Sequence, residues 1–146
     1  MTAIESLRRL AVGAEPIERP VLWGIVGGLI VGYGSVPIVG GGLIPPETYV
    51  LAIAIVSALA SLARASGAGG VLACVFLAWG PIAGALVGAS RYGTRSEPGV
   101  GSGLVPPEIL GGSIPVSLGI AFVAALVIGG LAFLVGGAVR RFRNDR

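Results

Sequence analysis

The chain contains no histidine and no lysine, and its only aspartate, Asp145, stands next to the C-terminus. Without an imidazole or a side-chain amine, it lacks the commonest general base and the lysine of Schiff-base chemistry. The combinations of His, Cys and Asp that bind transition metals are also missing. We therefore expect no enzymatic activity, no cofactor and no metal site.

Cysteine is almost absent as well, because Cys74 stands alone inside an apolar run. An intrachain disulfide is excluded, and we expect Cys74 to be a small buried packing residue. The formal net charge of +3 arises mostly at the chain ends and in loops. Such a distribution fits anionic lipid headgroups as a partner and predicts no nucleic acid binding.

Charged residues make up only 12% of the chain and hydrophobic residues 54%. About 20 helical residues cross the hydrocarbon core of a bilayer, so long uncharged runs predict membrane spans. The shortest run, of 16 residues, can still span if Arg64 snorkels to the membrane surface. No cleavable signal peptide is evident, so the first run is expected to serve as a signal anchor. The uncharged runs are 20–46, 48–63, 65–90 and 109–139.

These runs predict an all-α membrane protein with four transmembrane helices, at about 21–39, 46–65, 71–90 and 115–139. Residues 106–112 are interpreted as a short interfacial turn before the fourth helix; the alternative is one long helix bent at the glycine pair 111–112. We divide the chain into an N-terminal cytoplasmic or interfacial segment, two helical hairpins and a basic cytoplasmic tail. These segments are 1–19, 20–66, 67–139 and 140–146.

Arginine is distributed unequally between the two predicted sides of the membrane. With four spans, both termini lie on one side, which then holds eight of the arginines, whereas the other side holds only Arg91 and Arg95. Basic residues are enriched in cytoplasmic loops. We therefore predict a multi-pass protein of the cell membrane with both termini in the cytoplasm.

Two stretches occur twice in the same order. WGIVGGLIVG at 23–32 resembles WGPIAGALVG at 79–88, and GGGLIPPE at 40–47 resembles GSGLVPPE at 101–108. The pattern favours a tandem duplication of a two-helix hairpin over chance similarity in a Gly- and Val-rich membrane sequence. Because a hairpin has an even number of spans, the two copies point the same way and form a parallel repeat.

The first repeated block carries three glycines at four-residue spacing in each copy. This spacing keeps the glycines nearly on one helix face, where another backbone can approach closely. The simplest way to bury both faces is against each other, on a pseudo-two-fold axis between spans one and three. The alternative turns one glycine face towards a second subunit. The predicted helix-packing residues are Gly24, Gly28, Gly32, Gly80, Gly84 and Gly88.

The second repeated block ends in Pro-Pro-Glu, which is typical of a helix start: proline suits the first turn, and a carboxylate there faces the helix dipole. The alternative is a polar site on the outer face that gathers a cation or a basic partner, with the nearby arginines binding an anion. Its candidate residues are Glu47, Arg91, Arg95, Glu97 and Glu108.

The sequence favours a structural or accessory membrane component that acts through helix packing, with itself or within a larger membrane complex. The alternative is a small oligomeric channel or transporter with its path between subunits. If Trp79 lies deep in the membrane, its indole N–H needs an acceptor, and the carbonyls freed near Pro81 are the nearest candidates.

Overall fold

The computed structural model describes residues 4–5, 11–12, 18–67, 69–93 and 113–144, with the backbone alone for 92–93 and 143–144. Four helices are long and apolar enough to cross a membrane. Within the described residues, this finding confirms the predicted all-α architecture with four helices able to span a membrane. The helices are α1 (Glu18–Ile38), α2 (Pro46–Ser66), α3 (Val71–Gly93) and α4 (Ile114–Asn144). The predicted turn at 106–112 and most of the segment 1–19 lie outside the described residues.

A short turn joins α1 to α2. Pro37 lies in the last turn of α1, and the Ser35 carbonyl accepts hydrogen bonds from the amides of Val39 and Gly40, at 2.8 and 3.2 Å. The chain then reverses at Gly42, whose φ of 71° is a conformation that glycine adopts without strain. This reversal brings the start of α2 back beside the end of α1.

Local sequence also sets the bounds of α2. Pro46 occupies its first turn and Glu47 follows, where the missing proline N–H costs nothing and the carboxylate faces the helix dipole. At the other end, the amide of Gly67 donates to the carbonyl of Arg64 at 3.2 Å. Only residues 67–70 separate α2 from α3, so these two helices form a tight antiparallel pair.

The third helix is the centre of the bundle, because it packs against each of the other three. In addition, α2 packs against α4. By contrast, α1 packs along its length against α3, and its contact with the other two helices is slight within the described residues. The protein is thus a three-helix group, α2–α3–α4, with α1 attached to one side of α3.

Small side chains fill the three-helix group. Buried alanines lie on α3 and α4, together with Cys74, which is fully buried. The face of α2 that carries Ser57, Ser61 and Ala65 is also inside, with Ser61 at 0% exposure. Gly129 of α4 lies so close to α3 that a methyl group on it would be 2.8 Å from the Val75 Cα. The group is therefore packed through closely approaching helices, as expected where lipid provides no hydrophobic drive between them.

One end of the bundle carries most of the described arginines. Arg19 lies in the first turn of α1 and Arg64 in the last turn of α2. Arg140 of α4 joins them there, because its guanidinium donates to the Gly67 carbonyl at 3.1 Å. Arg91, in the last turn of α3, lies at the opposite end. We call the end formed by Arg19, Arg64 and Arg140 the arginine end.

Candidate functional site at the α1–α3 interface

The glycines of α1 lie against the glycines of α3 within one chain. A methyl group on Gly28 would stand 2.6 Å from the carbonyl oxygen of Gly80. A methyl group on Gly84 would in turn stand 3.0 Å from the Cα of Gly28 and even closer to its carbonyl. The contact therefore joins backbone to backbone, and there is no room for a Cβ on either side.

The contact extends over two turns of each helix and shows that α1 and α3 are parallel. Towards the arginine end, Gly24 and Gly80 meet, and a methyl group on Gly80 would be 2.9 Å from the Gly24 Cα. Further along, a methyl group on Gly32 would be 3.6 Å from the Gly84 carbonyl oxygen. Residue numbers rise together on the two helices, so both run in the same direction.

Gly88 has a different neighbour from the other five glycines. It lies against the side chain of Ser35, which is 1% exposed and donates to the Gly32 carbonyl at 2.6 Å. The bond within its own helix lets a hydroxyl be buried without an unsatisfied donor. Ser35 thus fills the space beside Gly88 at the far end of the interface.

A lateral groove runs beside the glycine contact, on the side towards α4. Its volume is about 450 Å³, and Leu118 of α4 forms part of its wall. Most of its lining is apolar, with Tyr33, Ser35 and Trp79 along it and Arg91 at its outer end. Tyr33 is 74% exposed, so the groove opens to the outside of the bundle and not into the three-helix group.

The indole of Trp79 does not bond as the sequence suggested. Within the described part of the chain, its Nε1 is buried and has no hydrogen-bond partner. Pro81 deprives the carbonyl four residues earlier, that of Leu77, of its usual partner. The Leu77 carbonyl therefore does not accept a hydrogen bond from the Trp79 indole.

The predicted outer polar residues are described only in part. Glu47 is half-buried in the first turn of α2, and Arg91 is exposed at the end of α3. Arg95, Glu97 and Glu108 lie outside the described residues. Among the residues that are described, no group of three or more His, Cys, Asp and Glu side chains is arranged to hold a metal ion.

Among the side-chain hydrogen bonds between helices, two that hydroxyl groups donate were not predicted from the sequence. Tyr49 of α2 donates to the Val31 carbonyl of α1 at 2.6 Å. Ser61 of α2 donates to the Cys74 carbonyl of α3 at 3.0 Å. The repeat offered a signal for the first bond, because the second copy has Leu110 at the position of Tyr49. The hydroxyl thus belongs to one copy alone.

Comparison of the chain with known protein families, curated proteins and solved structures found no match.

Proposed function

We propose that the chain is a structural or accessory component of the cell membrane, without catalytic chemistry, that acts by packing its helices against another membrane protein. The partner is a second copy of this chain or a subunit of a larger complex. The observation that carries the proposal is the position of α1, which is attached along its length to one helix of its own chain.

Burial supports the choice of α1 as the contact surface. Only 11% of its apolar stretch is buried, against 56% for α3. A membrane helix associates through close packing and interhelical hydrogen bonds. The apolar stretch of α1 is therefore the least buried of the four, and its outward face, on which Leu29 is 57% exposed, is the candidate contact surface.

The arginine end supports an orientation with both termini in the cytoplasm. Arg19, Arg64 and Arg140 gather there, whereas Arg91 is the one described arginine at the other end. The positive-inside tendency then favours a cytoplasmic position for the arginine end. The parallel course of α1 and α3 supports the tandem-repeat interpretation, in which the two hairpins arose by duplication.

Mass measurement after purification in a mild detergent tests the packing role. We expect an assembly larger than one chain. Leu29→Trp puts a larger side chain on the contact surface of α1 and is expected to reduce the assembly to the single chain. Leu131→Trp is the matched control, because Leu131 of α4 is 58% exposed and stands away from α1. A chain that is monomeric at every concentration, and that brings no other protein with it, would refute the proposal.

Single cysteines in a Cys74→Ala background test the orientation. Leu43 is 76% exposed in the turn between α1 and α2, and Gly67 is exposed at the arginine end. In intact cells, Leu43→Cys is expected to react with a membrane-impermeant thiol reagent, whereas Gly67→Cys reacts only after permeabilisation. The reverse pattern would invert the topology.

The groove favours a second candidate function, a small channel or transporter assembled as an oligomer. Tyr33, Ser35 and Arg91 give it a polar side, which a second subunit could close into a path. Tyr33→Cys in the Cys74→Ala background separates the two functions. Rapid labelling by a charged thiol reagent, compared with slow labelling of Val127→Cys on α4, would favour the path, and equally slow labelling would exclude it.

A further inference from the structure

The lateral groove beside the glycine contact has about the length of one membrane leaflet. Its lining extends along α3 from Trp79 to Arg91, twelve residues apart, which corresponds to about 18 Å of helix. The hydrocarbon core of a bilayer is about 30 Å thick, so one leaflet contributes about 15 Å. In a membrane, the groove therefore reaches from the outer end of the bundle to about the midplane and does not cross the bilayer.

The groove is too narrow for a helix. Spread over that length, its volume of about 450 Å³ gives a mean cross-section of about 25 Å². A helix with its side chains is at least 10 Å wide, which is roughly 80 Å² in cross-section. A neighbouring helix would therefore lie across the mouth of the groove without filling it, whereas one hydrocarbon chain can lie along its whole length.

Glycine gives the groove a floor without side chains. Gly28 and Gly84 are among the lining residues, and apolar side chains form the walls, with Leu29 on α1 and Leu118 on α4. A methylene chain gains dispersion energy from each carbon that contacts such a surface. The mouth opens to the outside of the bundle, where Tyr33 is 74% exposed, so a chain can enter sideways from the bilayer.

The polar side chains of the groove stand at the end where a lipid headgroup would lie. Arg91 is exposed at the end of α3. Gly32 of α1 lies close to Gly84 and Gly88 of α3, so Tyr33 stands about four residues, roughly 6 Å, nearer the midplane than Arg91. A guanidinium donates paired hydrogen bonds to phosphate oxygens, and the phenol below it can donate to an ester carbonyl.

We propose that the groove binds one acyl chain of a phospholipid from the leaflet at the Arg91 end, with the phosphate on Arg91 and the ester groups beside Tyr33. The chain lies on the glycine floor and ends near Trp79. Such a lipid is a ligand that exchanges slowly, in contrast to the lipids that cover the rest of the bundle. The inference goes beyond the packing role, and it rests only on the proposed membrane embedding.

Native mass spectrometry of the full chain counts the lipid retained after washing in a neutral detergent, with phosphatidylglycerol as the probe. We expect one molecule per chain. Val87→Phe fills the groove from α3 and should abolish retention, and Val36→Phe fills it from α1 and decides the matter if the first variant does not fold. Val123→Phe is the matched control, because Val123 is 62% exposed on α4 and is not among the lining residues.

Arg91→Gln tests the headgroup contact. Because Arg91 is exposed, its loss should weaken retention roughly two- to fivefold, the range of an exposed ion pair. Arg141→Gln is the matched control, since Arg141 is exposed on α4 and does not line the groove. An equal loss in the two variants would mean that the effect is general surface charge, and would overturn the assignment of the phosphate to Arg91.

The depth of the chain is measured by fluorescence. Trp23→Phe leaves Trp79 as the one tryptophan of the sequence. Phosphatidylglycerol with bromine near the end of an acyl chain should quench Trp79 at one lipid per protein chain, whereas bromine next to the glycerol should not. Equal quenching by the two lipids, or quenching that requires a large excess of lipid, would overturn the bound chain.

Other occupants of the groove give other results. If Val87→Phe dissociates an assembly but leaves lipid retention unchanged, a neighbouring chain covers the groove and the lipid is refuted. If Val87→Phe, Val36→Phe and Val123→Phe all retain the lipid equally, it binds elsewhere and the proposal fails. A chain that is monomeric and still retains one lipid, lost in Val87→Phe, refutes the packing role and supports the groove.

Discussion

The two sides of α3 are built on different principles. Towards α1, glycine backbones touch directly, with Gly28 between Gly80 and Gly84. Towards α2 and α4, small side chains fill the space, and Ser61 bonds to a carbonyl of α3. The first arrangement relies on the absence of side chains, whereas the second relies on their exact size.

This difference explains how α1 can pack closely against α3 and still have little contact with α2 and α4 within the described residues. Close backbone contact yields dispersion energy that depends steeply on distance. Because α1 has one extended contact among the described residues, no other helix can compensate when that contact is damaged. The three-helix group has three mutual interfaces, so the loss of one leaves two.

The largest effect should come from Gly84→Leu. A side chain there would collide with the backbone of Gly28 and push α1 away, at a cost of about 2–3 kcal/mol in the free energy of unfolding. Gly130→Leu is the control, since a methyl group on Gly130 meets nothing within 4 Å. Reversible unfolding in mixed detergent measures both, and equal costs would contradict the glycine interface.

Ala125→Leu probes the other side of α3. Ala125 is 0% exposed, so the larger side chain overpacks the three-helix group by roughly 1–2 kcal/mol. Unlike Gly84→Leu, it should leave a cross-link between the ends of α1 and α3 unaffected. Val123→Leu is the control: Val123 is 62% exposed, so this change should leave the free energy of unfolding almost unchanged. A loosened α1 in Ala125→Leu would mean that the two sides are not independent.

Tyr49→Phe removes the hydrogen bond that ties α2 to α1. Its loss should destabilise the chain by about 0.5–1.5 kcal/mol, since the Val31 carbonyl keeps its helical partner. Tyr33→Phe is the matched control, because Tyr33 is 74% exposed. Thermal unfolding of the two variants in one detergent decides the point, and the prediction fails if they unfold alike.

Glu47→Gln should have the smallest effect, below about 1 kcal/mol, as expected for a charge in the first turn of a helix at an interface. Unfolding and any binding or transport activity are measured together. If activity disappears while the fold persists, Glu47 belongs to an outer polar site and is more than a helix-start residue.

Much of the fold follows from local features of the sequence. The uncharged runs predicted the positions of all four helices, because a helix that spans a membrane satisfies its backbone hydrogen bonds within itself. Glycines at four-residue spacing indicated a packing face on α1 and on α3, and Gly28 and Gly84 lie close together there. These are properties of one helix at a time.

What could not be predicted depends on how helices meet. Every helix has apolar faces, so hydropathy does not reveal that α1 has one extended neighbour. The bond from Tyr49 to Val31 depends on the turn that brings α2 beside α1. A cleft bordered by Arg19, Arg64 and Leu77 exists only where three helices meet.

The placement of α1 has a consequence for the time course of synthesis. A ribosome delivers α1 first, yet its packing partner α3 follows only after the whole of α2. In the proposed membrane setting, α1 then has its glycine face against lipid during that interval, and its mean hydropathy of 1.7 is the lowest of the four helices. We therefore expect translational pausing before α3 emerges to reduce the yield of finished protein more than pausing after it.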